Sequence, residues 1–592
     1  MNDDRFGFLT SLRTRPAGGI VLGLACAVAV VTGAQVVIGA TEIGIGVDDY
    51  IHALRTDAWL KFGWYIPEYT FAGGEPDPNR GDISPYVYGA AFSGLAHLVN
   101  VALGNESMGE VMFTGDAYAV KHLTVAAFGL AAVACVGVAV WTLTRNALAA
   151  VWSSAALLAI PVWSGYAMFS IKDIPVAAGF TFVTLALLLA LTRAGERPWP
   201  PSRRTVGVAA LIAVGVLFCV GVRPVMWVPL LCALAAYGVL AFGVTRSRSG
   251  AGRSLAAPGV GFAIGLAGVM ALHPRTAPDP LEWLVSTVSE VSEAGREGVY
   301  TLTAGQLLSE FPPAWYLPAW TFASVPVLIF AIAAAGAWIV IRSVVRARPG
   351  QPGDRGPELA RTGGMLLVGL QLVLLPAATI ITGGTSYTGL RQHLYLLPPV
   401  AILAGIGAAR LLAAGTGSDG SSGRARWLAA GVLCLALVVP TVEQTRLYPY
   451  NYVYVNEAAG IGGVQDRWES EYQFIGAREA FQRVPDGMEP KCSARMIPPE
   501  GVPFVRPLIE DCYASLPPYY DEVPIDPRAN RVSDEIWVMG RPRGGNRPPG
   551  FCTEEDNVTR PLRGEDIVMT YVLRCTPPSK QGSDRGSSER AD

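Results

Sequence analysis

Six ionisable residues stand beside long apolar stretches in which charge is otherwise rare: Asp48, Asp49, Lys172, Asp173, Arg223 and Arg391. Their types suit group transfer at an anionic centre. A carboxylate held at a lipid–water boundary can take the proton of an attacking hydroxyl, a general-base role open to Asp48 or Asp49. Lys172, Arg223 and Arg391 can hold a phosphate, the arginines through paired, charge-assisted hydrogen bonds. A structural reading stands beside each. Asp48 can cap a helix, and the acidic pair complements a helix dipole. Lys172 can snorkel, and Asp173 can cap the helix that Pro175 starts. Arg223 and Arg391 can pair with loop carboxylates. No phosphate-binding loop, dinucleotide glycine pattern, HExxH or GxSxG motif accompanies these residues.

The elements that must position them are membrane helices. The chain has 592 residues, 51% hydrophobic and only 16% charged, with a mean hydropathy of +0.34. Soluble proteins carry about 25% charge. A net charge of −2 excludes a polycation that binds nucleic acid in bulk. The apolar content excludes a disordered chain. A crossing needs about 20 apolar residues. Eleven segments qualify: Gly18–Ala40, Val120–Leu143, Ala147–Val162, Ile174–Leu191, Val206–Val222, Val225–Val244, Pro258–Leu272, Leu317–Ile341, Gly364–Thr382, Leu394–Ala413 and Trp427–Val442. The first reads as an uncleaved span because the chain is polytopic.

Alternate connections are rich in Arg, among them Arg145, Arg203, Arg204, Arg246, Arg346 and Arg424. The positive-inside rule makes these cytoplasmic, with a cytoplasmic N-terminus and an extracytoplasmic C-terminal part. The expected layout is a cytoplasmic segment 1–17, a membrane domain 18–442 with long outer loops 41–119 and 273–316, a connector 443–483, a small α+β domain 484–578 and a disordered tail 579–592. The stretches Arg246–Ser254, Pro349–Arg361 and Gly415–Arg426 read as cytoplasmic linkers. Cys492, Cys512, Cys552 and Cys575 all fall in the outward part. Four cysteines there suit two disulfides of unassigned pairing. A zinc site is the alternative, although no C-x2–4-C pair is present.

In the first outer loop, a helix from Gly46 would align Ile51, Leu54, Ala58 and Phe62 on one face and Asp48, His52 and Arg55 on another. That pattern predicts an amphipathic helix lying on the outer leaflet. A helix is also expected near Gln473–Phe481. Strands are expected near Glu535–Met539 and Asp566–Leu573.

Three motifs, taken in order, resemble the GT-C membrane glycosyltransferases, in particular bacterial relatives of the protein O-mannosyltransferases and of the lipid A aminoarabinose transferase. Val47-Asp48-Asp49-Tyr50 is similar to the acidic pair of the first outer loop. Met168–Pro175 resembles an F-S-x-K-D-x-P turn. Tyr448–Glu457 resembles a Y-P-Y-x-Y-V-Y-x-N-E segment, and Asp466-Arg467-Trp468-Glu469-Ser470 follows where relatives have D-Y-W-x-x-S. The resemblance spans about Gly18 to Arg483. It departs in Asp-Asp for Asp-Glu and in Arg467 for Tyr.

The resemblance implies an all-α polytopic fold and transfer of a sugar from a polyprenyl-phosphate donor to an acceptor hydroxyl on the extracytoplasmic face, with inversion. It implies Asp48 as base with Asp49 as second choice, and Lys172, Arg223 and Arg391 on the donor phosphate. His52, Asp173 and His393 would orient these groups or the substrate. A divalent metal on Asp48 and Asp173 is left open. The implied partners are the lipid-linked donor, membrane lipid and a cell-envelope glycan, lipid or protein acceptor. Two other readings stand beside it. One is a transporter or flippase with an outer cap. The other is a non-catalytic envelope scaffold, which requires Asp48 and Asp173 to lie apart in bulk water.

Overall fold

The computed structural model describes residues 16–67, 71–72, 75–76, 84–194, 202–293, 300–346, 356–414, 421–485, 491–493, 535–540 and 552–575. Residues 1–15, the expected disordered tail 579–592, the linker stretches 349–355 and 415–420, Cys512 and most of the expected domain 484–578 lie outside them.

In chain order the helices are α1 (Pro16–Glu42), α2 (Val47–Phe62), α3 (Ala91–Leu103), α4 (Gly115–Thr144), α5 (Ala147–Leu158), α6 (Pro161–Tyr166), α7 (Asp173–Leu191), α8 (Arg203–Val220), α9 (Trp227–Thr245) and α10 (Arg248–Ala271). They continue with α11 (Pro280–Glu293), α12 (Tyr316–Ala323), α13 (Val327–Arg346), α14 (Gly356–Thr382), α15 (Leu397–Ala414), α16 (Ser421–Leu447) and α17 (Ala477–Phe481). Among the described residues, ten helical segments are long and apolar enough to cross a membrane.

The third of the eleven expected crossings, Ala147–Val162, is not one helix but two, α5 and α6. Pro161 sits at the first position of α6 with Ile160 extended before it. Proline has no N–H to continue the ladder and pushes its predecessor out of helical geometry. The pair still returns the chain across the bundle. The start of α4 touches the Asp48–Asp49 turn through His122, α5 begins at the far end of α4, and α6 finishes against the connector near Tyr452.

A second difference concerns α10, which begins at Arg248 rather than near Pro258. The Ser247 hydroxyl accepts the Gly250 amide at 3.2 Å and caps it, so the expected linker 246–254 is mostly helix.

The core is built on α7 and on residues 397–408 of α15, whose apolar residues are almost all buried. Close approach depends on small residues. Gly179 on α7 faces Gly215 on α8, and a Cβ on either would meet the other's carbonyl oxygen at 2.6–2.7 Å.

The long connections between the helix ends around Asp48 contain elements of their own. Helices α2 and α3 and the short antiparallel pair β1 (Phe71–Ala72) and β2 (Glu75–Pro76) lie in the loop 41–119. Helix α11 and the hairpin β3 (Thr301–Thr303)–β4 (Gln306–Leu308) lie in the loop 273–316. On the same side, β5 (Lys491–Ser493), β6 (Glu535–Gly540), β7 (Cys552–Glu554), β8 (Val558–Leu562) and β9 (Glu565–Cys575) form one sheet. Its order is β5-β6-β9-β7, with β8 also on β9 and only β5–β6 parallel. Both expected strands are present, as β6 and β9. Leu562 pairs with Glu565 across a two-residue turn in which Arg563 and Gly564 have φ of 55° and 84°. Two successive positive φ values match the right-handed twist of a hairpin. The turn brings Arg563 onto Glu443 at the end of α16. Cys552 and Cys575 form a disulfide between paired residues of β7 and β9.

Candidate active site

Asp48 lies at the second residue of α2, and its carboxylate is gripped from three directions. Lys172 Nζ lies 2.8 Å from Oδ1. Arg391 Nη1 donates to Oδ2 at 2.5 Å. Gln473 Nε2 donates to Oδ2 at 2.8 Å, and the Asp48 amide donates back to Gln473 Oε1 at 3.3 Å. The Val47 amide donates to the Gln473 carbonyl at 3.0 Å.

Asp173 is the second anionic centre. It accepts from Arg223 Nη2 and, at 3.1 Å, from Ser170 Oγ. Arg391 Nε lies 3.7 Å away. Arg391 therefore spans both carboxylates.

Each member is positioned locally. Lys172 precedes α7 in the tight turn after α6, and Asp173 opens α7. Arg223 is extended between α8 and the short turn Pro224–Met226. Arg391 follows Thr388 and Gly389, which have φ of 56° and 71°. That kink is pinned by Thr301 Oγ1 on the Thr388 amide and by the Tyr316 hydroxyl on the Gly389 amide. Aromatic rings back the cations. Lys172 Nζ lies 5.1 Å from the centre of Tyr88, and the Arg391 guanidinium 4.9 Å from that of Tyr472.

Burial raises the Asp48 pKa, but Lys172 and Arg391 overcome it and hold the carboxyl well below its usual range. Its side chain remains 24% exposed, so a ligand can reach it, whereas Asp173 is closed off at 2%. A small, partly open pocket lies there, lined by Asp48, Asp49, Ser170, Lys172, Arg391 and Gln473 among others.

Three expected site residues point elsewhere. Asp49 accepts the Gly46 amide at 2.7 Å and faces His122 Nε2 at 3.2 Å, so its carboxylate caps α2. His52 pairs through Nδ1 with the Tyr65 hydroxyl at 2.9 Å. Burial, with Arg55 and Lys172 beside it, holds His52 well below the usual imidazole range and therefore neutral. His393 is buried against the hydroxyls of Tyr395 and Ser386.

The face of α2 also differs from expectation. His52, Arg55, Thr56 and Asp57 are buried, while Ile51 and Leu54 are only half-buried. The helix turns its polar face into the protein because what it covers is this polar site.

Sequence reasoning missed Gln473, Tyr472, Tyr88 and Tyr166. Gln473 was expected inside a helix, but only Ala477–Phe481 is helical. Glu471 accepts the amides of Gln473 at 2.6 Å and Phe474 at 3.0 Å and holds that stretch in a turn. Glu471 is itself buried on the Tyr452 hydroxyl. Burial pushes its pKa up to about 7.

The two acidic centres do not fit a divalent metal. Each carboxylate already faces cationic side chains. Among the described residues no three His, Cys, Asp or Glu side chains converge as a ligand set. A scaffold with Asp48 and Asp173 apart in water is contradicted by Arg391, which bridges them.

The fold and site thus define a polytopic helical protein with an ion-pair centre at one end of the bundle. No protein-family model matches the chain, and no curated protein does. Among solved structures it is similar to ArnT from Cupriavidus metallidurans bound to undecaprenyl phosphate. The identity is 13%, over 93% of this chain and 97% of that one, with a TM-score of 0.46. It is also similar to the oligosaccharyltransferase AglB from Archaeoglobus fulgidus in complex with an inhibitory peptide and a dolichol-phosphate. There the identity is 12%, over 87% of this chain and 69% of that one, with a TM-score of 0.43.

Proposed function

We propose that the chain is a membrane glycosyltransferase that moves a sugar from a polyprenyl-phosphate donor to an acceptor hydroxyl on the extracytoplasmic face. One observation carries the reading. Lys172, Arg223 and Arg391 converge on two carboxylates, and the Nε atoms of Arg391 and Arg223 are buried without a hydrogen-bond partner. A positive surplus with spare donors suits a phosphate at the membrane boundary.

Binding of that phosphate between Lys172 and Arg391 would draw both cations from Asp48. The carboxylate then loses the charges that depress its pKa and becomes a better base. In the reaction the acceptor oxygen bonds to the anomeric carbon as its proton passes to Asp48. The bond from the anomeric carbon to the phosphate oxygen breaks on the opposite side, with inversion. The leaving polyprenyl phosphate keeps the electron pair, and Lys172, Arg391 and Arg223 stabilise its charge.

The motif resemblance adds independent support. The Arg-rich helix ends opposite the site favour an extracytoplasmic site. The acceptor is a cell-envelope glycan, lipid or protein. Asp48→Asn tests the assignment: sugar transfer should fall roughly 10²–10⁴-fold with donor binding retained. Near-normal transfer by that folded variant removes Asp48 as base.

A further inference from the structure

Helix α11 (Pro280–Glu293) carries an apolar stripe that the described chain leaves uncovered. Leu281, Val285 and Val288 are 75%, 68% and 41% exposed. Spaced four and three residues apart, they lie along one side of the helix. The opposite side is fixed in the protein. Trp283 and Thr287 are fully buried. Trp283 packs on His273 with ring centres 5.3 Å apart, and Thr287 Oγ1 accepts Trp227 Nε1 at 3.1 Å. Glu282 and Glu290 form a polar flank turned toward the loop 41–119, where, after burial, their charges push the Tyr86 hydroxyl pKa up.

The two anchors set the height of α11. His273 follows the last turn of α10, where its Nδ1 lies 2.8 Å from the Val269 carbonyl oxygen, and Trp227 is the first residue of α9. Both α9 and α10 are long and apolar enough to cross the membrane. Helix α11 therefore lies across the ends of two crossing helices, on the side of the ion-pair centre. Leu231 stands four residues after Trp227 on the same side of α9, about one helical turn deeper, and is 44% exposed. The stripe of α11 thus adjoins a surface that a bilayer covers. An apolar stripe at that level gains by leaving water for acyl chains. No Lys or Arg lies within Pro280–Glu293, so α11 has no cation with which to hold anionic headgroups.

We infer that α11 is seated in the bilayer leaflet on the side of the ion-pair centre, with Leu281, Val285 and Val288 among the acyl chains and Glu282 and Ser289 at the headgroups. The interfacial role that the sequence suggests for α2 thereby falls to α11, since the site claims the polar side of α2. Helix α11 also holds Trp227, four residues after Arg223, and so ties the height of that arginine to the membrane surface. This contact stands whatever reaction the site performs.

The test is nitroxide scanning of the full chain in phosphatidylcholine nanodiscs. The labelled variants are Leu281→Cys, Glu282→Cys, Val285→Cys, Val288→Cys and Ser289→Cys, with Leu231→Cys as the lipid-facing reference. The unsubstituted chain is labelled in parallel so that the signal of its own thiols can be subtracted. Power saturation compares collisions of each label with oxygen, which concentrates among acyl chains, and with a water-soluble nickel chelate. Labels at 281, 285 and 288 should favour oxygen, as at 231, and labels at 282 and 289 should favour nickel. The pattern should be the same in about 0.1 M and about 1 M salt, because the attraction is apolar. Nickel favoured at 281, 285 and 288 overturns the inference, since the stripe then lies in water. Protection from both reagents at those positions also overturns it, in favour of a second copy or a protein partner. Loss of the pattern at high salt overturns the apolar seat. All five positions are on the protein surface and are read separately, so one variant that fails to fold leaves the pattern readable.

Discussion

Asp48 and Gln473, 425 residues apart, are joined twice, by one bond from the Gln473 side-chain amide to the Asp48 carboxylate and one from the Asp48 backbone amide to the Gln473 side-chain oxygen. A third bond from the Val47 amide to the Gln473 carbonyl completes the clasp. The first turn of α2 is thereby registered on the connector that follows the last membrane helix. The direction of the Asp48 carboxylate is set by a neutral side chain as much as by its cations.

Gln473→Ala should keep the fold and lower transfer about 10²-fold, the scale on which a misplaced catalytic group acts. Gln473→Glu should do more, since a second carboxylate beside Asp48 raises its pKa. Steady-state kinetics on both variants check this, with the acid limb of the pH profile moving upward in the Glu variant only.

The pH profile of the unmodified protein should carry a split. Without donor, Lys172 and Arg391 hold the Asp48 carboxyl well below 3.8. The acid limb of kcat/KM, which reports the free protein, should therefore lie below that value. The limb of kcat, which reports the donor complex, should lie at higher pH because the phosphate has taken those cations. Coincident limbs would contradict release of Asp48 by the donor.

Arg391→Ala should destabilise the protein by about 3–5 kcal/mol, because it leaves Asp48 and the buried Asp173 short of a partner. Arg391→Lys should restore much of the stability and little of the transfer, since an ammonium cannot span two carboxylates as a guanidinium does. Thermal unfolding and transfer rates measured side by side separate the two effects.

Glu471 gives a stability signature. Its folded pKa of about 7 lies above the ordinary 4.5, so the folded state holds the proton more tightly than the unfolded chain. That contribution is fully present below pH 4.5 and is lost as pH rises through about 7. Melting temperature should fall across this window. In Glu471→Gln, which stays neutral, that part of the slope should vanish. An unchanged slope would place the titrating group elsewhere.

Reducing the Cys552–Cys575 disulfide, which closes 23 residues, should cost the sheet about 3 kcal/mol. Proteolysis of the sheet should accelerate. Donor binding should persist, because no residue of the Asp48 pocket belongs to the sheet.

Much of the arrangement is legible in the sequence because charge is rare in an apolar background. Lys172, Asp173, Arg223 and Arg391 stand out by type alone, and the folded chain brings them to Asp48. Gln473 does not stand out, since a neutral polar residue in an ordinary connector carries no signal. Its turn also depends on Glu471 capturing backbone amides, which competes locally with helix formation. The apolar stripe of α2 misleads for a physical reason: periodicity reports a buried face only when the partner is apolar, and here the partner is the site. The break at Pro161 is readable from proline itself. The start of α10 is obscured by a Gly/Ser/Arg composition that resembles a linker until Ser247 is seen as its cap.

The clasp between Asp48 and Gln473 has a temporal side. A ribosome adding about 5–20 residues per second needs roughly 20–85 seconds to travel from one partner to the other. During that interval Asp48 can meet Lys172 and then Arg391 as their helices are inserted, but its carboxylate is not locked in direction. Only a chain that has threaded every membrane segment and released its connector closes the clasp, so an interrupted or misinserted translation product leaves the membrane with an incomplete, unarmed centre.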